Sequence, residues 1–490
     1  MTRDWRDDRI DEQDAKIASQ AAIIASQAAT IAKLTAQVEM LMARVAKLEE
    51  QVRRSSRNSS QPPSSDGPAA PPRTKKTTGT RKPGGQSGHE KHARPLVPQG
   101  EVDTLVAVRP KRCRACDRAL FGSDPAPHRH QVFELPRIVP LVTEYALHSL
   151  DCACGARTRA TLPSGVPTGA FGPSIVAMAG LLMGAYRLSK RAAADIMHDV
   201  FGLRISLGAV VGCQQLASEA LAAPYQEARE FVATEPVKYA DETSWREARD
   251  KAWLWTVVTT QVTVFMVHAR RTADAARELL GRARGVLITD RHGGYNWWPA
   301  AQHQFCWAHL VRDFLQIAER CAHSERIGEG LLAESDRMFS WWHRVRDGTL
   351  ARSTFRIYMR GIQKRVAELL TEGAQGPHLS TAKTCANLLK HFDSLWTFVR
   401  VDGVEPTNNG AERAVRHAVL MRKTSGGTHS EHGSRFVERL LTARASLRQQ
   451  DRNVLRFLVD ACTAALHGTT PPSLLPAHAP ELSASMRRAA

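Results

Sequence analysis

Apolar residues recur every seven positions at the start of the chain. Ile10, Ile17, Ile24, Ile31, Val38, Val45 and Val52 share one heptad position, while Gln13, Gln20 and Gln27 and then Leu34, Leu41 and Leu48 fill its complement. β-Branched residues at a with Leu at d favour a parallel two-stranded coiled coil, so residues 10–52 are predicted to be one, with the glutamine half weaker. A homo-oligomer, most simply a dimer, is expected. The competing reading, an amphipathic helix packed on its own protein, is disfavoured by the composition of the adjoining segment. Residues 53–95 carry Pro62, Pro63, Pro68, Pro71, Pro72, Gly84 and Gly85 and predict a disordered linker.

Beyond the linker the periodicity changes several times. Residues 96–168 hold short β-like runs (LVAV, QVFELP, LVTEYALH) around two cysteine pairs, the layout of a zinc-ribbon-like module. Residues 169–230 are helical, and Gly202 with a capping Ser206 separates two amphipathic runs as either a helix-turn-helix or a plain helical hairpin. Residues 231–312 then alternate in the β-β-β-α-β order of an RNase H-like core: VKYAD, KAWLWTVVTT and TVFMVHA as strands, TADAARELLGRA as a helix, GVLITD as a strand. An all-helical insertion is predicted over 313–399, the last part of the core over 400–450, and a C-terminal helix and tail over 451–490. The expected class is a multidomain α+β protein.

Charge sharpens this picture. The 490 residues contain 67 Lys plus Arg against 49 Asp plus Glu, a formal net charge of +18. Between Arg53 and Arg94 ten basic residues face two acidic ones, Asp66 and Glu90. A solvated linker accounts for such a run, and the same run binds a polyanion by releasing counterions without needing a fold. MTRDWRDDRI shows no secretory signal, and the longest apolar stretch, Ile175 to Tyr186, is too short to cross a bilayer, so a cytoplasmic, nucleoid-associated protein with no membrane partner is expected. Nine cysteines are present; in such a compartment the pairs Cys113/Cys116 and Cys152/Cys154 point to a structural Zn²⁺ site rather than to disulfides. The second pair is C-A-C, so His128, His130 or His148 is an alternative ligand.

Three carboxylates carry the candidate chemistry. Asp241 and Asp290 each close an apolar run, placing them at the carboxyl edge of an α/β sheet, and Glu412 opens a basic helix. Singly, each has an ordinary explanation: a strand-end aspartate is usually a turn residue, and Glu412 would complete a capping box if Asn409 were the N-cap. Together they make a hard-ligand set for two Mg²⁺ ions (or Mn²⁺), which about 3.5–4 Å apart stabilise both oxygens of a displaced phosphodiester. Glu242 is expected to face away from Asp241 by strand alternation. Arg413 and Arg416 share the helix of Glu412 and are candidate DNA contacts. Cys306 and His309 lie on one helical face and could bind metal, but with no second pair nearby in sequence core packing and local hydrogen bonding are the favoured reading.

The wording of these segments adds a resemblance. ADETSW, the ITD strand, QFCWAHLVRDF and TNNGAERAVR, with NSSQPPSSD and RKPGGQSGHEKH upstream, resemble the DDE transposases of the insertion-sequence 66 family over roughly residues 10–445. RHGGY after Asp290 departs from the family's usual wording. The resemblance implies a bacterial transposase in which Asp241, Asp290 and Glu412 hold the metals. It also implies partners: element terminal inverted repeats, target DNA and accessory proteins of the same element. The alternative is a non-catalytic DNA-binding regulator derived from a transposase.

Overall fold

The computed structural model describes residues 5–53 and 94–476. The linker expectation and the far C-terminal tail lie outside the described residues. Helix α1 (Trp5–Arg53) is continuous, and its heptad residues Ile17, Ile24, Ile31, Leu34, Val38, Leu41 and Val45 are all more than half exposed. Such a row of apolar groups gains only from a second surface.

The segment after residue 94 differs from expectation. LVAV, QVFELP and LVTEYALH form no strands; Val108, Leu135 and Leu141 are 88%, 85% and 98% exposed. The only ladder among the described residues here joins β1 (Ser149–Asp151) to β2 (Arg157–Arg159), antiparallel, with a further bridge between Arg112 and Ala119. Three-residue strands present too little surface to bury those runs.

Helix α2 (Pro173–Gly180) continues through a wide turn into α3 (Lys190–Phe201) and α4 (Leu207–Ala220), followed by α5 (Ala222–Thr234). Gly202 takes the left-handed conformation (φ 66°) that ends α3, and the Ser206 hydroxyl accepts from the Ala209 N–H at 3.2 Å, as their positions predict. Helix α4 buries Val210, Cys213 and Ala217 in the core. Its exposed face offers Leu207, Val211, Gln215, Leu216 and Glu219, with no Lys or Arg along the helix.

The sheet is built from β3 (Val237–Glu247), β4 (Asp250–Val258) and β5 (Thr263–His268), then α6 (Ala273–Leu280), β6 (Val286–Thr289) and a short β7 (His303–Phe305). Strand order is β5-β4-β3-β6-β7, with β3, β4 and β5 antiparallel neighbours and β3, β6 and β7 parallel. Helix α7 (Trp307–Ala318) leaves β7 directly. It leads into the helical block of α8 (Ala322–Arg346), α9 (Arg352–Gln375), α10 (Leu379–Lys390) and the single turn α11 (Thr397–Arg400). The chain returns through α12 (Asn409–Ser425), α13 (Glu431–Gln449) and α14 (Val454–His467).

These elements enclose two apolar cores. One joins α2 to α5, the sheet, α13 and α14, from Val176 to Leu474, so the 173–234 helices share their core with the sheet instead of standing apart. The other joins Val286, Ile288, Phe305 and Trp307 to the helical block, through Trp342, Phe355, Trp396 and Phe398. The block is thereby seated on the β6–β7 edge, beside the carboxyl ends of the parallel strands. Among the described residues no helix is long and apolar enough to cross a membrane.

Candidate active site

Strand register brings the first two carboxylates together. Tyr239 pairs with Ile288 at the end of the parallel β3–β6 ladder, and Asp241 and Asp290 each stand two residues beyond that pair. Asp241 is not the strand end that its apolar run suggested but lies mid-strand: β3 runs on to Glu247 because its antiparallel pairing with β4 continues after β6 has stopped. Neighbouring β7 extends the same level, since Thr289 pairs with Phe305 and Cys306 follows it as Asp290 follows Thr289. Three parallel strands thus present Asp241, Asp290 and Cys306 along one edge, where open α/β sheets bind ligands.

Helix α12 supplies the third carboxylate. It packs on β3 with Gly410 against the Tyr239 ring, and Arg422 donates to the Thr243 hydroxyl at 3.0 Å. The helix starts one residue earlier than the capping-box reading requires. Asn408 is its N-cap, and the Asn408 amide donates to the Ala240 carbonyl at 2.8 Å, tying the helix start to the residue before Asp241. The Glu412 side chain caps nothing: its Oε1 is buried without a hydrogen-bond partner, and 3.6 Å away lies His309 Nδ1, equally unpartnered.

The electrostatics agree with a shared cleft. Burial pushes the Asp241 carboxyl well above the ordinary range, and the charges of Glu242, Asp290 and Glu412 push it further. Like charges facing one cleft are what a divalent ion neutralises, although Asp241, Asp290 and Glu412 do not bring their ligand atoms within 4.8 Å of one another as a set. Asp290 is held by a turn, its Oδ1 accepting from the His292 N–H at 2.9 Å.

Glu242 occupies the other face, as alternation predicts, yet belongs to the site's support. Its side chain is fully buried; Arg271 binds Oε1 through Nη2 at 2.6 Å and Nε at 2.8 Å, and the Tyr295 hydroxyl donates to Oε2 at 2.7 Å. The same Arg271 Nη2 lies 4.0 Å from Asp290 Oδ2. Tyr295 comes from the RHGGY segment, whose Gly293–Tyr295 turn delivers the hydroxyl. Neither Arg271 nor Tyr295 carries a local sequence signal, because the partner is 29 residues away for one and 53 for the other.

Arg413 and Arg416 are exposed and, among the described residues, neither forms an ion pair with Glu412. Arg413 lines a cleft of about 630 Å³ with Arg346, Arg444 and Arg448, beside the carboxylates but not including them. Nearer the start of the chain, Cys113/Cys116 and Cys152/Cys154 each sit on a tight hairpin turn. The Cys113 thiol is lowered by the backbone N–H groups of Ala115 and Cys116, and the Cys152 thiol by that of Cys154. The four do not converge. Among the described residues the group of three or more metal-capable side chains whose ligand atoms all lie within 4.8 Å of one another is Cys306, His309 and Glu412.

A mixed sheet with acidic residues gathered where its parallel ladder ends, beside an arginine-lined cleft, has the charge layout that suits a polyanionic substrate. Comparison places it further: residues 168–435, more than half of the chain, match the transposase IS66 family, and the chain belongs to that family. Residues 5–95 match a family of unknown function (DUF6444). No curated protein matches the chain.

Proposed function

We propose that the chain cuts and joins DNA at the ends of an insertion sequence, with Asp241, Asp290 and Glu412 as the metal-holding carboxylates of an RNase H-like core. The observation that carries this is the register that sets Asp241 and Asp290 at one level, with Glu412 near enough to raise the Asp241 carboxyl. The strand order, three antiparallel strands continued by two parallel ones, supports the RNase H-like reading. All-carboxylate donors suit Mg²⁺ or Mn²⁺. Such ions, when bound, supply charge neutralisation and an activated hydroxyl nucleophile.

The chain's own residues do the positioning. β3 and β6 hold two carboxylates on rigid backbone, the Asn408–Ala240 hydrogen bond fixes the start of the helix bearing the third, and Arg271 bridges Glu242 toward Asp290. Arg413 and Arg448, both exposed on the basic cleft, would take DNA phosphates leading to the site. Alanine at both should weaken end binding at all sequences alike and lower the slope of log affinity against log salt by about 1 per arginine. An unchanged slope in a filter-binding titration removes the cleft from the DNA path.

The reading is tested by incubating the full chain with DNA carrying the element's inverted repeats, with and without Mg²⁺. Metal-dependent strand transfer supports it. Binding without any nicking would favour the regulator alternative.

Assembly is assigned to α1. Deleting residues 1–52 should lower the oligomeric state in light scattering and weaken pairing of ends, since the exposed heptad row is a self-association surface. An unchanged mass per particle would sink it. Cys113/Cys116 has the C-x2-C spacing of a zinc knuckle and Cys152/Cys154 a shorter one, and a structural Zn²⁺ that drew the two turns together would give the exposed 94–168 segment a centre to fold on.

A further inference from the structure

We propose that Cys306, His309 and Glu412 form a separate site for a soft divalent cation of the Zn²⁺ class, sharing Glu412 with the Asp241–Asp290 cleft. It rests on the carboxylate reading only for the role of Glu412.

The local chain builds the pocket. Cys306 occupies the N-cap position of α7 and His309 follows three residues later, so both point to one side of the first turn, facing the start of α12. Cys306 is fully buried, and its sulfur accepts the Asn408 N–H at 3.1 Å. Asn408 belongs to the same corner and its own Oδ1 is buried without a partner. With it, His309 Nδ1 and Glu412 Oε1 make three orphaned polar atoms in one place, where buried groups are nearly always satisfied.

The spacing discriminates between explanations. At 3.6 Å, His309 Nδ1 and Glu412 Oε1 are too far apart for a hydrogen bond. Donors around a tetrahedral ion at bond lengths of about 2.0–2.3 Å stand roughly 3.3–3.8 Å from one another, so this separation suits an edge of such a polyhedron. Thiolate and imidazole select zinc-like ions over Mg²⁺, whereas Asp241 and Asp290 offer only hard oxygens. Three protein donors leave a fourth position open, and the sulfur's N–H donor from Asn408 is the outer-shell contact that orients a metal ligand. Binding would clamp α12 to α7 and so hold the third carboxylate at a fixed distance from the strands bearing the other two.

The test compares the full-length wild type with Cys306→Ser and His309→Gln after loading with Zn²⁺, or Co²⁺ as a spectroscopic probe, under reducing conditions. Wild type should hold one ion more than either variant, and the cobalt difference spectrum should show a thiolate-to-metal charge-transfer band that Asp241→Asn retains while losing Mg²⁺-dependent cleavage. Equal metal content in folded variants, with no difference band, overturns the site and leaves the carboxylate reading untouched. If a variant does not fold, zinc-edge anomalous diffraction on the wild type decides: a peak among the three side chains supports the proposal, and its absence overturns it.

Discussion

Asp241→Asn should abolish DNA nicking and strand transfer while raising the thermal stability of the metal-free protein. The two effects have one cause. A carboxyl whose pKa is higher folded than unfolded binds its proton more tightly in the folded state. Its contribution to stability is therefore complete below the ordinary carboxylate range and is lost as pH rises through the raised value. Above that raised value the ionised group opposes folding, and an uncharged amide removes that opposition. Divalent ions reverse the balance: Mg²⁺ or Mn²⁺ should raise the wild-type unfolding midpoint with the logarithm of ion concentration once above Kd and leave the Asn variant nearly unmoved. The loss of activity should exceed the roughly 10–100-fold that changes outside the ligand shell typically cost. Asp290→Asn and Glu412→Gln should lose cleavage equally, since Glu412 caps nothing that Gln could preserve. Melting curves in chelator across pH, beside a nicking assay, read both halves. Cleavage by Glu412→Gln at the wild-type rate would remove that residue from the set.

How much of this was legible in the sequence depended on whether the determinant was local. Gly202 and Ser206 specify a left-handed C-cap and an N-cap within their own segments, so the helix pair could be read directly. Strand and helix order through Asp290 was equally local, as was the helical character of the block after it. Register was not. That Asp241 stands beside Asp290, and that Cys306 joins them, depends on pairing between strands separated by an intervening hairpin and helix. The Cys306–His309 pair read as core packing because its third partner, Glu412, is 103 residues from His309 and arrives only when α12 docks. The β-like runs before Ser149 show the reverse case: alternation suggested strands, but among the described residues no partner surface is there for them to cover.

Arg271→Ala should be among the most destabilising single changes around the sheet, although Arg271, in the loop between β5 and α6, is itself a third exposed. Its partner decides the cost. The Glu242 side chain is fully buried, and its carboxyl is already pushed up by burial and by Asp290. Removing the guanidinium leaves a buried charge with Tyr295 as its remaining close donor, for which about 3–5 kcal/mol is typical. The surviving tyrosine bond places the expected value toward the lower end. The pH dependence has a definite sign: protonation of Glu242 relieves the defect, so the gap between variant and wild type should narrow as pH falls through the raised Glu242 value and be widest above it. Glu242→Gln added to Arg271→Ala should recover much of the loss, because a neutral amide needs no counter-charge and still accepts from Tyr295. Denaturant unfolding of the two single variants and the double variant completes the cycle. Additive losses would show that Arg271 acts by packing on Trp253, over whose ring it lies at 5.0 Å, and not through Glu242.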